Sequence, residues 1–385
     1  MTTTETQPDI RKGLAGVYAD YTAISKVNPE TNSLLYRGYP VQELAENCTF
    51  EEVAYLLLRG ELPDEEELAD FKRECWNGRS LDQKTIDMVM SMPTDCHPMD
   101  VLRSAVAFLG SYDADHFTRS ANHIRWVGRQ LLSKLPTIVA LDIRRRRGEG
   151  YIEPRKDLGF TENFLWMVFG DGPDSPLNKP GDVECFEKSM ILYAEHSFNA
   201  STFTARVITS TMSDPWSAIA GAIGALKGPL HGGANEAVMH NMIEIGDPAT
   251  AEQWCKDKLA NKELVMGFGH RVYKKGDSRV PTMEAAFRKL AQEHDGEESR
   301  KWVEMYDIMA ETMYENTSIK IRPNLDFPAG PAYYIMGFDI PFFTPLFVMS
   351  RITGWSAHIL EQYENNSLIR PLSAYNGPEE RHLGR

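Results

Sequence analysis

Two histidines and one aspartate, each set among residues that interrupt regular structure, are the side chains of this sequence best suited to chemistry. His231 lies in Gly228-Pro229-Leu230-His231-Gly232-Gly233-Ala234, and His270 in Met266-Gly267-Phe268-Gly269-His270-Arg271. Asp326 follows in Pro323-Asn324-Leu325-Asp326-Phe327. Glycine lets a backbone approach a ligand closely, and a turn exposes a side chain that a helix would hide. A carboxylate and two imidazoles presented this way can take a proton from carbon and stabilise the charge left behind. Each residue alone has a plainer reading. A lone histidine is more often structural, and Asp326 could cap a helix.

Further polar residues point to an anionic partner. His196 sits amid hydrogen-bonding side chains in Glu195-His196-Ser197-Phe198-Asn199-Ala200-Ser201-Thr202. Arg279 follows Asp277-Ser278, and Arg370 precedes Pro371. Arg351 ends the otherwise apolar Phe347-Val348-Met349-Ser350-Arg351, where an unpaired charge would be costly. A guanidinium forks onto a carboxylate, so three such residues could hold a dicarboxylate. The glycines near His270 lack the strand and helix context of a dinucleotide fingerprint, and no P-loop is present. His231, His240 and His270 show neither H-E-x-x-H nor a Cys/His framework, so no metal site is expected. The basic run at 144–147 reads as a solvated helix end, with a phosphate or nucleic-acid contact as alternatives.

The elements that must position these residues read as almost entirely helical. Residues 13–39 carry β-branched and aromatic residues punctuated by Asn28-Pro29 and Gly38, which predicts short strands. Thr49 with Glu52, and Asp64 with Glu67, form capping boxes ahead of apolar runs. Asp100 begins a further helix, and another through Ile124, Val127 and Leu131 is expected to kink or break at Pro136. Residues 216–226 form an alanine- and glycine-rich helix, suited to close approach by another helix of the same chain or of a second subunit. Hinge-like features at 227–234 and 336–341 suggest a small helical domain at 233–337, inserted in a large one of 1–232 and 338–385.

The 385 residues suffice for a large core, and 42% hydrophobic with 25% charged residues is an ordinary globular balance. A net charge of −14 argues against a general nucleic-acid binder. Five scattered cysteines without a C-x-x-C pair fit a reducing cytoplasm. The polar residues 1–8 predict no secretory leader, and no apolar run is long enough to span a membrane.

Taken together, 228–235, Met266-Gly267-Phe268-Gly269-His270-Arg271-Val272-Tyr273 and Pro323-Asn324-Leu325-Asp326 resemble the citrate synthase family. The resemblance runs from Gly13-Leu14-Ala15-Gly16-Val17 to Ile369-Arg370-Pro371-Leu372 and is strongest to short bacterial forms, the actinobacterial 2-methylcitrate synthases above all. It implies a two-domain helical homodimer that condenses an acyl-CoA with oxaloacetate and hydrolyses the thioester. Propionyl-CoA is the expected substrate and acetyl-CoA the secondary one, with no tightly bound cofactor. By the same resemblance Asp326 is the base, His231 the donor to the thioester oxygen, and His270 the group polarising the oxaloacetate ketone. His196, Arg279 and Arg351 match oxaloacetate contacts, and Arg370 one supplied by the neighbouring subunit. Phe347 matches the aromatic beside the acyl group. Leu264, Val265, Met266, Gly267 and Phe268 match the coenzyme A loop, and Lys274 stands where some members have a phosphate-facing arginine.

Overall fold

The computed structural model describes residues 9–28, 30–115, 118, 120–270, 273 and 275–383. A small antiparallel sheet opens the chain, with β1 (Ser25–Asn28), β2 (Ser33–Tyr36) and β3 (Tyr39–Pro40) paired in that order. Ser25 lies opposite Tyr36 in this register. Eight helices follow: α1 (Val41–Asn47), α2 (Phe50–Arg59), α3 (Glu65–Gly78), α4 (Gln83–Ser91), α5 (Pro98–Ser111), α6 (Ala121–Arg146), α7 (Phe160–Phe169) and α8 (Pro180–Tyr193). Eight more follow among the described residues: α9 (Ala200–Ser210), α10 (Pro215–Leu226), α11 (Ala234–Ile245), α12 (Pro248–Ala260), α13 (Val280–His294), α14 (Glu297–Glu315), α15 (Asp326–Ile335) and α16 (Phe343–Glu364). None is long and apolar enough to cross a membrane, among the described residues.

The expected capping boxes form at the starts of α2 and α3, each with its reciprocal side-chain bonds. The expected start at Asp100 moves back. α5 begins at Pro98, because proline suits the first turn and the His97 ring accepts the Met99 N–H as an N-cap. Pro136 does not break α6, which runs unbroken from Ala121 to Arg146. Burial of the segment around it, and the Thr137 hydroxyl donating to the Arg79 carbonyl at 2.8 Å, hold the helix through the missing hydrogen bond.

α16 is the axis of the core. Every residue from Phe343 to Leu360 is buried, Arg351 and His358 among them. It packs against α6, α9, α10, α8 and α2. Close approach to α6 is made at Gly128, where a Cβ would stand 2.7 Å from Ser356 Oγ. The glycine-rich α10 approaches α9 in the same way: a Cβ on Gly221 would stand 2.3 Å from Ile208 Cδ1. Much of α10 thus packs within the chain, while Ala220, Gly224 and Ala225 stay half-exposed.

The basic run at the end of α6 is structural. Arg144 donates to the Val168 carbonyl, Arg145 to Met92, Arg146 to Thr94 and Cys96, and Arg147 to Gly337. These guanidiniums tie neighbouring loops to the negative end of the helix dipole, so the solvated and polyanion readings of this run both give way.

Candidate active site

Most candidate side chains are delivered by helix ends or by α16, and His270 by the loop between α12 and α13. His231 occupies the turn between α10 and α11, closed by its own N–H donating to the Gly228 carbonyl at 2.9 Å. The Ser201 backbone N–H, 3.2 Å away, can only donate, so His231 Nε2 must accept it. The Ser201 hydroxyl also lies 2.8 Å from Nε2, and Trp355 Nε1 donates to that hydroxyl. In the neutral ring the proton therefore sits on Nδ1, the imidazole's remaining donor. Burial, with Arg351 adding to it, pushes the His231 pKa down to about 3, so the ring is neutral at physiological pH.

Asp326 is the first residue of α15. The Tyr193 hydroxyl, at the end of α8, donates to its Oδ1 at 2.7 Å. Although part of Asp326 stays accessible, burial raises its pKa to about 6, against the opposing pull of Tyr193 and Arg279. This carboxylate is ionised near neutrality yet a far better base than a free one. The Tyr193 ring also packs on Phe347, at 4.3 Å between centroids, and Phe347 faces the His231 ring at 6.3 Å. Tyr193 had no signal in the sequence, where it reads as one more apolar position of a helix.

His270 and His196 face each other with ring centroids 4.9 Å apart. Tyr273 lies beside both, its hydroxyl 3.1 Å from His196 Nε2. Burial first, then Arg279, lowers the His270 pKa to about 4. His196 is pushed well below its ordinary value by burial and by Arg279, His270 and Arg351.

The two buried arginines differ. Arg279 is forked onto Asp277, Nε to Oδ1 at 2.9 Å and Nη2 to Oδ2 at 2.7 Å, and Asp277 also accepts the Leu325 N–H next to Asp326. Arg351 donates Nε to the Tyr193 carbonyl at 2.7 Å, while its buried Nη1 has no hydrogen-bond partner among the described residues. Its guanidinium lies 4.7 Å from the Phe347 ring centre. An unspent buried cation is costly, and an anionic ligand would relieve that cost.

The loop 264–269 is laid along the segment leading to Asp326. Phe268 bridges to Pro323, the Asn324 N–H donates to the Gly267 carbonyl at 2.8 Å, and the Gly269 N–H donates to Arg322 at 2.9 Å. His270 and Asp326 are thereby held in register. Gly267 has φ +85°, and a Cβ there would lie 2.6 Å from Val238 Cγ2. Leu264 is 73% exposed while Val265 is buried, so the loop presents an accessible edge on a fixed base. Arg370 lies exposed on the tail beyond α16, away from any described secondary structure. Lys274 falls outside the described residues. No cluster of potential metal ligands occurs among those described. The structure thus joins His231, Phe347, Tyr193, Asp326 and Arg351 through direct contacts, with His196, His270 and Arg279 linked to them electrostatically.

The family model "Citrate synthase, C-terminal domain" matches residues 13–372. A 2-methylcitrate synthase of Corynebacterium glutamicum is 62% identical over 98% of this chain and 97% of its own length. A citrate synthase of Mycolicibacterium smegmatis is 56% identical over 99% of each. Among solved structures, the ternary complex of carboxymethyl coenzyme A and oxaloacetate with Thermoplasma acidophilum citrate synthase superposes with a TM-score of 0.90. That match has 32% identity and covers 97% of this chain and 98% of the other. By sequence and by fold alike, this chain belongs to the citrate synthase family.

Proposed function

We propose that this chain condenses propionyl-CoA with oxaloacetate and water, giving 2-methylcitrate and CoA, and that it also accepts acetyl-CoA. The observation that carries the reading is the raised Asp326 carboxyl, hydrogen-bonded by Tyr193 and grouped with the donor ring of His231 and the unspent cation of Arg351.

Asp326 takes a proton from the α-carbon of the thioester, and the charge that moves to the thioester oxygen is met by His231 Nδ1–H. Such a preorganised donor is worth about 10²–10³ in rate. The enolic carbon attacks the oxaloacetate ketone, polarised by the neutral His270, and the new alkoxide oxygen takes up a proton. Water then cleaves the acyl thioester, releasing CoA and the tricarboxylate. Arg351 and His196 hold the oxaloacetate carboxylates together with the Nη1 edge of Arg279 that Asp277 leaves, and Arg370 does so from a second copy of the chain in a homodimer. Residues 264–268 and Lys274 receive coenzyme A, and Phe347 packs beside the acyl group. A large domain of 1–232 and 338–385 and a small one of 233–337 close over the substrates, with the half-exposed face of α10 in the dimer contact. The five free cysteines, without a disulfide among the described residues, support a cytoplasmic setting.

Propionyl-CoA is preferred because the relative at 62% identity is a 2-methylcitrate synthase. The 56% relative favours acetyl-CoA as the second reading. One methylene is worth only about 1–3 kcal/mol in an apolar pocket, so both thioesters react. Comparing kcat/KM for the two at fixed oxaloacetate decides between them. A propionyl preference is expected, and an acetyl preference above about tenfold overturns the choice.

A further inference from the structure

Along α16, Phe347, Arg351, Gly354, His358 and Glu361 recur at intervals of three and four residues and share one face of the helix. Only the first two of these are placed in the site by the reading above. Gly354 and His358 meet a buried charge from another element, Glu195, which lies between α8 and α9 beside His196. Glu195 is fully buried, and its Oε1 accepts from Ser25 Oγ and from His358 Nε2, both at 2.8 Å. Arg206 Nη1 donates to His358 Nδ1 at 3.0 Å, which fixes the tautomer with the proton on Nε2. Arg206 is itself paired with Glu361 at 2.8 Å. One carboxylate oxygen is therefore pinned from both sides.

The other oxygen is not engaged. Glu195 Oε2 is buried without a hydrogen-bond partner among the described residues, as is Nη1 of Arg351. Oε2 lies against α16 at Gly354, one turn beyond Arg351, where a Cβ would stand 2.3 Å from it. Burial draws the Arg351 pKa down to about 10, and Glu195 is the foremost group acting against that fall. The contrast with Arg279 is instructive: there the carboxylate of Asp277 occupies the fork directly. At Arg351 the counter-charge compensates without occupying the donor.

We propose that Glu195 is a positioning residue for Arg351: pinned through Oε1 by Ser25 and His358, it supplies a fixed negative charge that compensates and aligns the buried guanidinium while leaving Nη1 for a carboxylate of oxaloacetate. The proposal rests on the reading of Arg351 as an oxaloacetate ligand. Removing one member of a buried charge pair leaves the other uncompensated, which drives the surviving guanidinium to reorient toward other partners. That response takes away the aligned donor. Substrate binding suffers and the chemical step, run by Asp326 and His231, does not.

The test is calorimetric titration of oxaloacetate together with steady-state kinetics. Glu195→Gln is expected to weaken oxaloacetate binding and raise its KM by about tenfold or more, with kcat at saturation within about threefold of wild type. Glu195→Asp, which restores the charge, is expected to recover most of the loss. On an Arg351→Ala background Glu195→Gln should weaken binding no further, because the two act as a unit. A purely structural role would instead add its loss to that of Arg351→Ala, or depress kcat equally. If Glu195→Gln does not fold, His358→Asn decides, since its shorter amide meets Arg206 but falls short of Glu195. A raised oxaloacetate KM with unchanged kcat then supports the proposal, and an unchanged KM overturns it. Wild-type binding with an indifferent Glu195→Gln overturns this proposal alone. Wild-type protein that does not bind oxaloacetate overturns the functional reading, and the proposal with it.

Discussion

Replacing Tyr193 by phenylalanine removes one hydroxyl and leaves the ring against Phe347, so it isolates what the 2.7 Å hydrogen bond to Asp326 contributes. That bond favours the ionised carboxylate and opposes the burial that lifts its pKa to about 6. A hydrogen bond to a charged group is worth about 1.5–3 kcal/mol, and one pKa unit corresponds to 1.36 kcal/mol. The Asp326 pKa should therefore climb by about 1–2 units in Tyr193→Phe, nearer the lower figure because water reaching the partly exposed carboxylate can take the hydroxyl's place. The base must be ionised to act, so the acid limb of kcat/KM moves up by the same amount. At pH 7 the ionised fraction drops from about nine-tenths to between about one-half and one-tenth, a loss of about two- to tenfold. The loss should largely disappear by pH 9.

The measurement is oxaloacetate-dependent thiol release, followed from pH 5 to pH 10 for both proteins. Neither histidine confuses the profile, because His231 at about 3 and His270 at about 4 stay neutral throughout that range. An acid limb that stays put, or moves below 6, refutes the assignment of Asp326 as a buried base supported by Tyr193. So does a loss that persists undiminished at pH 9.

The same raised pKa has a stability consequence. Because the folded value of about 6 lies above the ordinary 3.8, the contribution of Asp326 is full below pH 3.8 and is lost as pH rises through 6. Asp326→Asn removes up to about 3 kcal/mol of that neutral-pH penalty, so it should melt a few degrees above wild type at pH 7.5 and level with it near pH 4 by scanning calorimetry. Equal melting at both values counts against a buried ionised carboxylate. Gly267→Ala forces a side chain into φ +85° and into contact with Val238 and Phe327. It should cost about 1–3 kcal/mol and raise the KM for acyl-CoA well above any change in the KM for oxaloacetate. A larger change in the oxaloacetate KM would place the loop on the wrong substrate.

Local signals carried far in this chain. The Thr49 and Asp64 capping boxes depend on residues three apart, and both formed as expected. His231, His270 and Asp326 stood out because glycine and proline interrupt regular structure, and they sit in a turn, a loop and a helix start respectively. What lay hidden depends on residues distant in sequence. Tyr193 meets Asp326 across 133 positions, and nothing about an apolar helix end announces that contact. Pro136 looked like a break because the sequence does not show how completely its helix is enclosed. Arg351 was conspicuous as a charge in an apolar run, but whether it was paired could be settled only by the atoms around it. Arg279 gave the opposite lesson: Asp277, two residues earlier, was in view all along and takes up its fork.

The central claim is that Asp326 removes the α-proton of an acyl thioester whose partner, oxaloacetate, is held by other groups. The most direct test pairs thiol release from propionyl-CoA with calorimetric binding of oxaloacetate, for wild type and Asp326→Ala. Wild type should release thiol only when oxaloacetate is present, and Asp326→Ala should bind oxaloacetate with nearly unchanged affinity while releasing almost none. Near-normal release by Asp326→Ala, or wild-type release indifferent to oxaloacetate, would contradict the account.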